Sequence, residues 1–239
     1  MEIYPGVYHI QQMFVNLYLV AGPAPHNTAG LDSMLLVDAG LRGSRGRILS
    51  AIRQAGKTPA DLKTIIITHA DGDHFGGLSD LQRITQALHG LAGQAPPGHA
   101  GQATAWAAPV EAEAIRRGAS SRKLTPTGPR RILFRLVAPL IKSQPARIDA
   151  TLSEGQSFDV LGGLQVLATP GHTPGHISLF SPSTGVLFAG DSIQVIDGTP
   201  QPSGAGNTWN AQKAQESFER QMALKPVMIL AGHGVWKAG

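Results

Sequence analysis

The sequence has no cysteine among its 239 residues. That excludes a disulfide framework, a cysteine nucleophile and every cysteine-ligated zinc or iron–sulfur site. Any metal has to be held by histidine, aspartate or glutamate. Aromatic residues make up 5% and charged residues 15%, while hydrophobic residues reach 42%, a composition far from disorder and sufficient for one compact domain over residues 1–239. Long apolar runs are missing as well: the longest, Ile132 to Ile141, is broken by Arg135 and Pro139 and falls short of the ~20 residues a membrane helix needs. The opening Met-Glu-Ile-Tyr-Pro lacks the apolar core of a signal peptide. A soluble, cytoplasmic protein without membrane insertion is the expectation.

Acid is missing from one stretch. Arg116, Arg117, Arg122, Lys123, Arg130, Arg131, Arg135 and Lys142 follow one another with no Asp or Glu between them. The net charge is +4 and the pI about 9.6. Without those eight residues, 12 basic side chains would face 16 acids, a balance of −4. The basic character therefore belongs to one segment, which argues against a nucleic-acid-binding face and for a small, anionic or electron-rich substrate. From about 109 to 142 the segment reads as a basic helical insert. Its first reading is an amphipathic helix packing Ile132, Leu133, Leu136, Val137 and Leu140 onto the domain. A lid with Phe134 lining a substrate groove comes second, and peripheral membrane contact third.

Periodicity outlines the rest. Residues 3–21 read as two short strands and Met34 to Val37 as a buried strand ending at Asp38-Ala-Gly40. Ile48, Leu49 and Ile52 mark a helix over 44–55 that stops at Gly56, and Lys63 to Thr68 is a β-branched run that leads into His69. Helices are expected over 77–88, 109–117, 130–141 and 209–224, and strands at 104–108, 148–152, 157–160, 164–169, 176–181, 185–189 and 227–230, with a polar loop over 197–208.

His69-Ala-Asp71-Gly-Asp73-His74 puts four potential ligands within six residues. Such a string would arise by chance about 6 times in 10,000 chains of this composition, so it is read as chemistry. On an extended loop side chains at i and i+2 point the same way, which lets His69 and Asp71 converge while Asp73 and His74 reach a second position. Pro170-Gly-His172-Thr-Pro-Gly-His176 is a second cluster, and Ala189-Gly-Asp191 and Ala231-Gly-His233 repeat the layout of strand, glycine turn and ligand-type side chain. One shared site at the edge of the sheets explains all four. His9, His26, His89 and His99 lie outside any cluster and read as ordinary histidines. Gly56-Lys57-Thr58 lacks the glycine at position 51 that a phosphate-binding loop requires.

With these elements, in this order and spacing, the chain resembles the metallo-β-lactamase superfamily of binuclear metallohydrolases across essentially its whole length. The resemblance implies an α+β fold, a four-layer αββα sandwich with metals at the edge of the two sheets. It implies one divalent ion on His69, Asp71 and His172, another on Asp73, His74 and His233, and Asp191 as the bridging carboxylate. Asp71 departs from the histidine usual at that position. Oxygen ligands favour iron or manganese more than imidazole does, so zinc is the first choice with Fe and Mn open. The implied mechanism is attack of a dimetal-bridging hydroxide on a carbonyl or phosphoryl centre, with Asp73 orienting the nucleophile and His176 contacting substrate or supporting the site. The expected substrate is an ester or lactone. A glyoxalase II-like thioesterase is disfavoured because only six residues follow His233, and ribonuclease Z-like activity is weakly supported for want of a long basic arm, while phosphodiester or thioester hydrolysis on the same metal core stays an alternative. A diiron redox or oxygen-binding protein is the alternative from another class, suggested by Asp71.

Overall fold

A computed structural model of the chain describes residues 1–21, 34–91, 103–122 and 143–239. Strands β1 (Glu2–Tyr4), β2 (Val7–Gln12), β3 (Val15–Val20), β4 (Met34–Val37), β5 (Leu62–Ile66), β6 (Thr104–Ala107) and β7 (Ala150–Thr151) form a seven-stranded sheet in that order. Its first four strands run antiparallel and β4 to β7 run parallel. A second, six-stranded sheet has the order β15 (Gly234–Lys237), β14 (Met228–Ala231), β11 (Val186–Gly190), β10 (Ile177–Ser181), β9 (Leu164–Ala168), β8 (Ser157–Phe158).

The period-2 geometry of the central strands builds the layers. β3, β4 and β5 carry apolar residues on both faces, and successive side chains feed different cores. Leu17, Leu19, Met34, Leu36 and Ile65 pack outward with Ile48 and Ile52 of α1 (Arg45–Gln54), Leu78 and Leu81 of α3 (Leu78–Leu91) and Ile115 of α4 (Pro109–Arg116). Their neighbours Tyr18, Val20, Leu35, Val37 and Ile66 face the other way and meet Val166, Leu179, Phe188 and Leu230 of the second sheet. That sheet's outer face, with Leu187, Ala189 and Ile229, is covered by Phe218 and Met222 of α5 (Ala211–Ala223). The result is the helix–sheet–sheet–helix sandwich expected from the resemblance.

Strand direction then fixes where the site can be. β11 and β14 are parallel, and β9 shares their direction because β9 and β11 both pair antiparallel with β10. Residues after β9, β11 and β14 therefore leave the second sheet at one end. The end of β5 joins them through Ile177 N–H, which donates to the Thr68 carbonyl at 3.1 Å.

Several expectations need correction. Residues 2–20 form three strands instead of two, and β15 follows His233. The segment 197–208 is only partly loop: β12 (Ile193–Ile196) and β13 (Thr199–Pro202) pair as a hairpin that reaches into it, followed by a 3-10 turn, Ala205–Asn207. The ligand string is not extended throughout, because Gly72–Phe75 is a one-turn helix, α2, with Asp71 at its N-cap. The helix expected over 130–141 lies outside the described residues, as do His26 and His99. No helix among the described residues is long and apolar enough to cross a membrane.

Candidate metal centre

The motif begins where β5 runs out. Thr68, His69 and Ala70 are buried, and the α2 turn swings Asp73 and His74 back towards the sheets, with the Ala39 and Gly40 amides donating to the His74 carbonyl at 2.7 and 3.0 Å. A tight helical turn, rather than an extended strand, thus separates Asp71 from Asp73 and aims them at different partners. After β9 the chain supplies His172. The close of β11 supplies Asp191, and the turn between β14 and β15 supplies His233. Gly232 lets that turn approach, since a Cβ there would stand 2.2 Å from Asp191 Oδ1 and 2.6 Å from His74 Cε1.

All seven expected ligands come together. Three groups, His69/Asp71/His172, His69/His74/Asp191 and Asp73/His74/His233, each have ligand-type atoms within 4.8 Å of one another. Asp191 is central: its Oδ2 lies 3.3 Å from His233 Nε2, 3.5 Å from His172 Nε2 and 3.9 Å from His69 Nε2, and its Oδ1 lies 3.2 Å from His74 Nε2.

Supporting hydrogen bonds set which ring nitrogen faces inward. Asp38 accepts at Oδ2 from His74 Nδ1 at 2.8 Å and at Oδ1 from the Thr68 amide at 2.8 Å. His172 Nδ1 pairs with Ser203 Oγ at 2.8 Å, and His233 Nδ1 donates to the Phe14 carbonyl at 2.8 Å. Each leaves Nε2 towards the centre, the arrangement by which outer partners orient metal-binding imidazoles. His176 is different. Its Nδ1 pairs with Thr169 Oγ1 at 2.8 Å and its Nε2 accepts from the Asp191 amide at 3.0 Å. With both nitrogens engaged, it supports Asp191, and neither is left for the substrate contact entertained from sequence.

Opposite charges in the site shift one another, with the carboxylates held down and the His74 and His233 imidazoles held up. Burial raises the Asp71 carboxyl, but the neighbouring His172 and His69 imidazoles and the Arg122 guanidinium outweigh it and hold the group well below the usual carboxylate range. For Asp191 burial is likewise overcome, by the charge of the neighbouring His74 and the approach of His233 and His69, leaving it well below that range. Burial lowers the His172 imidazole, which favours the neutral form that binds metals. On His233, burial is outweighed by hydrogen bonds to Asp191 and Asp73, which push it up to about 10.

Whether metals fit this set is decided by the atoms left over. Among the described residues, His69 Nε2, His74 Nε2 and Asp191 Oδ1 are buried without a hydrogen-bond partner. Buried polar atoms are ordinarily paired, and three unpaired donors of ligand type facing one centre fit divalent cations. A cavity of about 180 Å³ opens beside them, lined by His172, Asp191, His233, Gln194, Ser203 and Asn207.

Sequence reading passed over two groups. Glu111, fully buried in the first turn of α4, accepts at Oε2 from the Ala70 amide at 2.7 Å and at Oε1 from the Gly175 amide, Thr173 Oγ1 and Ser121 Oγ at 2.8, 2.9 and 2.8 Å. Arg122 reaches Asp71 and His172. An acid in the first turn of a helix looks like any dipole-matched acid, and an arginine in a basic run looks solvated, so neither carried a local signal.

A two-sheet sandwich with histidine and aspartate gathered at one edge defines a metallo-hydrolase. A model of the metallo-beta-lactamase superfamily matches residues 12–233, and the chain belongs to that superfamily. It is similar to the probable metallo-hydrolase YflN of Bacillus subtilis (strain 168), 28% identical over 254 aligned residues covering 100% of this chain and 87% of that one. A hydroxyacylglutathione hydrolase of Pseudomonas putida (strain F1) is 30% identical over 149 residues, 59% of this chain but 39% of that protein. Among solved structures, the metallo-beta-lactamase family protein TTHA1429 from Thermus thermophilus superposes with a TM-score of 0.65 at 24% identity, covering 99% of this chain and 76% of that one. BJP-1, a subclass B3 metallo-beta-lactamase of Bradyrhizobium japonicum, gives 0.63 at 21% identity, covering 98% and 76%. At these identities the structures speak for the fold.

Proposed function

We propose that the protein hydrolyses a small carbonyl ester or lactone with two divalent ions, zinc in first place. His69, Asp71 and His172 would hold one, Asp73, His74 and His233 the other, with Asp191 between them. The observation that carries this reading is the set of buried atoms without a hydrogen-bond partner among the described residues, His69 Nε2, His74 Nε2 and Asp191 Oδ1. Bound divalent ions supply an acidified water near neutral pH and a Lewis acid for the carbonyl oxygen. The chain's own residues do the rest. Asp73, with Oδ2 3.5 Å from His233 Nε2 and its side chain 22% exposed, can accept and orient the nucleophile's proton. Gln194, Ser203 and Asn207 offer donors and acceptors to the polar groups of a substrate in the adjoining cavity. Its volume of about 180 Å³ suits a short acyl group or a lactone ring.

Thioester hydrolysis is the second reading, favoured by the likeness to a hydroxyacylglutathione hydrolase over 149 residues. The likeness spans 39% of that protein, so it supports carbonyl thioester chemistry more than a glutathione partner. The test is metal analysis of purified protein with a panel of esters, lactones, thioesters and phosphodiesters. Two zinc ions with turnover of esters or lactones is the expected result. Turnover of phosphodiesters alone, or redox-active iron without hydrolysis, overturns it.

A further inference from the structure

We propose that Arg122 is a built-in cation of the His69/Asp71/His172 subsite, so that the two subsites load in sequence, Asp73/His74/His233 first. The inference rests on reading the two groups as metal subsites. The Arg122 side chain is 1% exposed. Its Nη2 donates to Asp71 Oδ2 and lies 3.1 Å from His172 Nε2, and its Nη1 donates to the Asn207 carbonyl. Both Nη2 contacts fall on atoms this subsite offers a cation, for His172 Nδ1 is already taken by Ser203 and Asp71 Oδ1 accepts from Ser120 Oγ at 2.8 Å.

A neutral imidazole nitrogen has one lone pair. At His172 Nε2 it can take an arginine N–H or a metal, but not both. Charge points the same way, since a guanidinium within hydrogen-bonding reach of two ligands repels a divalent ion on them. In the other subsite the ligand atoms meet one another instead, His74 Nε2 lying 3.2 Å from Asp191 Oδ1 and His233 Nε2 3.5 Å from Asp73 Oδ2, and among the described residues none of them meets an arginine or lysine.

Arg122 is delivered there by a short strap. Ser120, Ser121 and Arg122 each bond into the site's scaffold, Ser120 to Asp71, Ser121 to Glu111 and Arg122 to Asp71 and His172. Glu111 in turn holds both ligand loops, at Ala70 and at Thr173 and Gly175. The guanidinium is thus placed by the same framework that places the ligands. Among the described residues its Nε is buried without a partner, so the fork is incompletely satisfied.

The test is a zinc titration of the metal-stripped, full-length protein by calorimetry, with bound zinc counted by mass spectrometry after gel filtration. Wild type is expected to bind a first equivalent at least about 100-fold more tightly than a second, as charge repulsion at short range predicts. Arg122→Met is expected to tighten the second step about 10–100-fold and leave the first unchanged. Arg122→Lys keeps the charge and retains the gap. A second step that is weaker or unchanged in Arg122→Met overturns the proposal, because Arg122 would then support Asp71 as a ligand instead of excluding a metal. Two equal steps in wild type overturn it without any variant, should a melting curve show that Arg122→Met does not fold. No zinc retained by wild type overturns the metal reading itself, and this inference with it.

Discussion

Asp38 shows how one side chain governs the site without facing it. It is 2% exposed and fixes both the Thr68 amide and His74 Nδ1. A carboxylate only accepts, so a proton of His74 is held on Nδ1 and Nε2 is the nitrogen that a metal would take. Asp38→Ala is expected to lower zinc affinity about 10–100-fold. Asp38→Asn should lose nearly as much, because an amide N–H at this point draws the proton to the wrong nitrogen; zinc content after dialysis measures both. His233 sets a pH dependence. Its imidazole is raised to about 10 by Asp191 and Asp73, so in the metal-free protein its contribution is full below its unfolded value of about 6.5 and disappears as pH rises towards about 10. Thermal melts of metal-free protein should therefore decline across that window. His233→Gln should flatten the decline, and zinc-loaded protein, in which the ring is neutral, should not show it.

Elements matter here by how closely they approach. The Gly171 backbone, at φ 146°, lies against α5, and a Cβ would sit 2.3 Å from both Cα and N of Ala214. That contact lets the His172 loop run under the helix start, where the Trp209 and Asn210 amides donate to the carbonyls of His172 and Gly171 at 3.0 Å each. Gly171→Ala is expected to cost at least about 1–3 kcal/mol by overpacking and to weaken zinc binding by displacing His172, seen as a lower midpoint in urea together with a reduced metal content. The β12–β13 hairpin was hidden in a stretch rich in glycine, proline and serine. Pro200 and Pro202 argue against a central strand, and they are tolerated because this two-stranded sheet has only edges.

For the whole molecule, the proposed ligands come from opposite sides of the inter-sheet core. His69, Asp71, Asp73 and His74 follow β5 of the first sheet, whereas His172, Asp191 and His233 follow β9, β11 and β14 of the second. Metal bound across this seam stabilises the native pairing of the sheets by mass action, about 4 kcal/mol at a thousandfold excess over Kd. At about 2–4 °C per kcal/mol for a chain of this size, chelation is expected to lower the melting temperature by about 8–16 °C. A scanning calorimeter decides this, and an unchanged melt would show that the two halves of the ligand set are not joined by metal.

The sequence by itself determined the candidate donors and the layers. Residue types that can ligate a metal are rare and here fall in tight local patterns, so His69 to His74 and the paired histidines at 172 and 176 stand out from their surroundings. Strands such as Val15 to Val20 announce burial on both faces by apolar residues at nearly every step. Arg122, Glu111 and the true posture of His176 were decided by tertiary structure alone. Each owes its role to atoms far along the chain: Arg122 to Asp71 and Asn207, Glu111 to Ala70 and Gly175, His176 to the Asp191 amide. Local pattern records what a residue can do, but a hydrogen-bond partner many residues away leaves no mark beside it. Only the meeting of the two sheets brings a buried guanidinium to Asp71 and His172 and not to Asp73, His74 and His233.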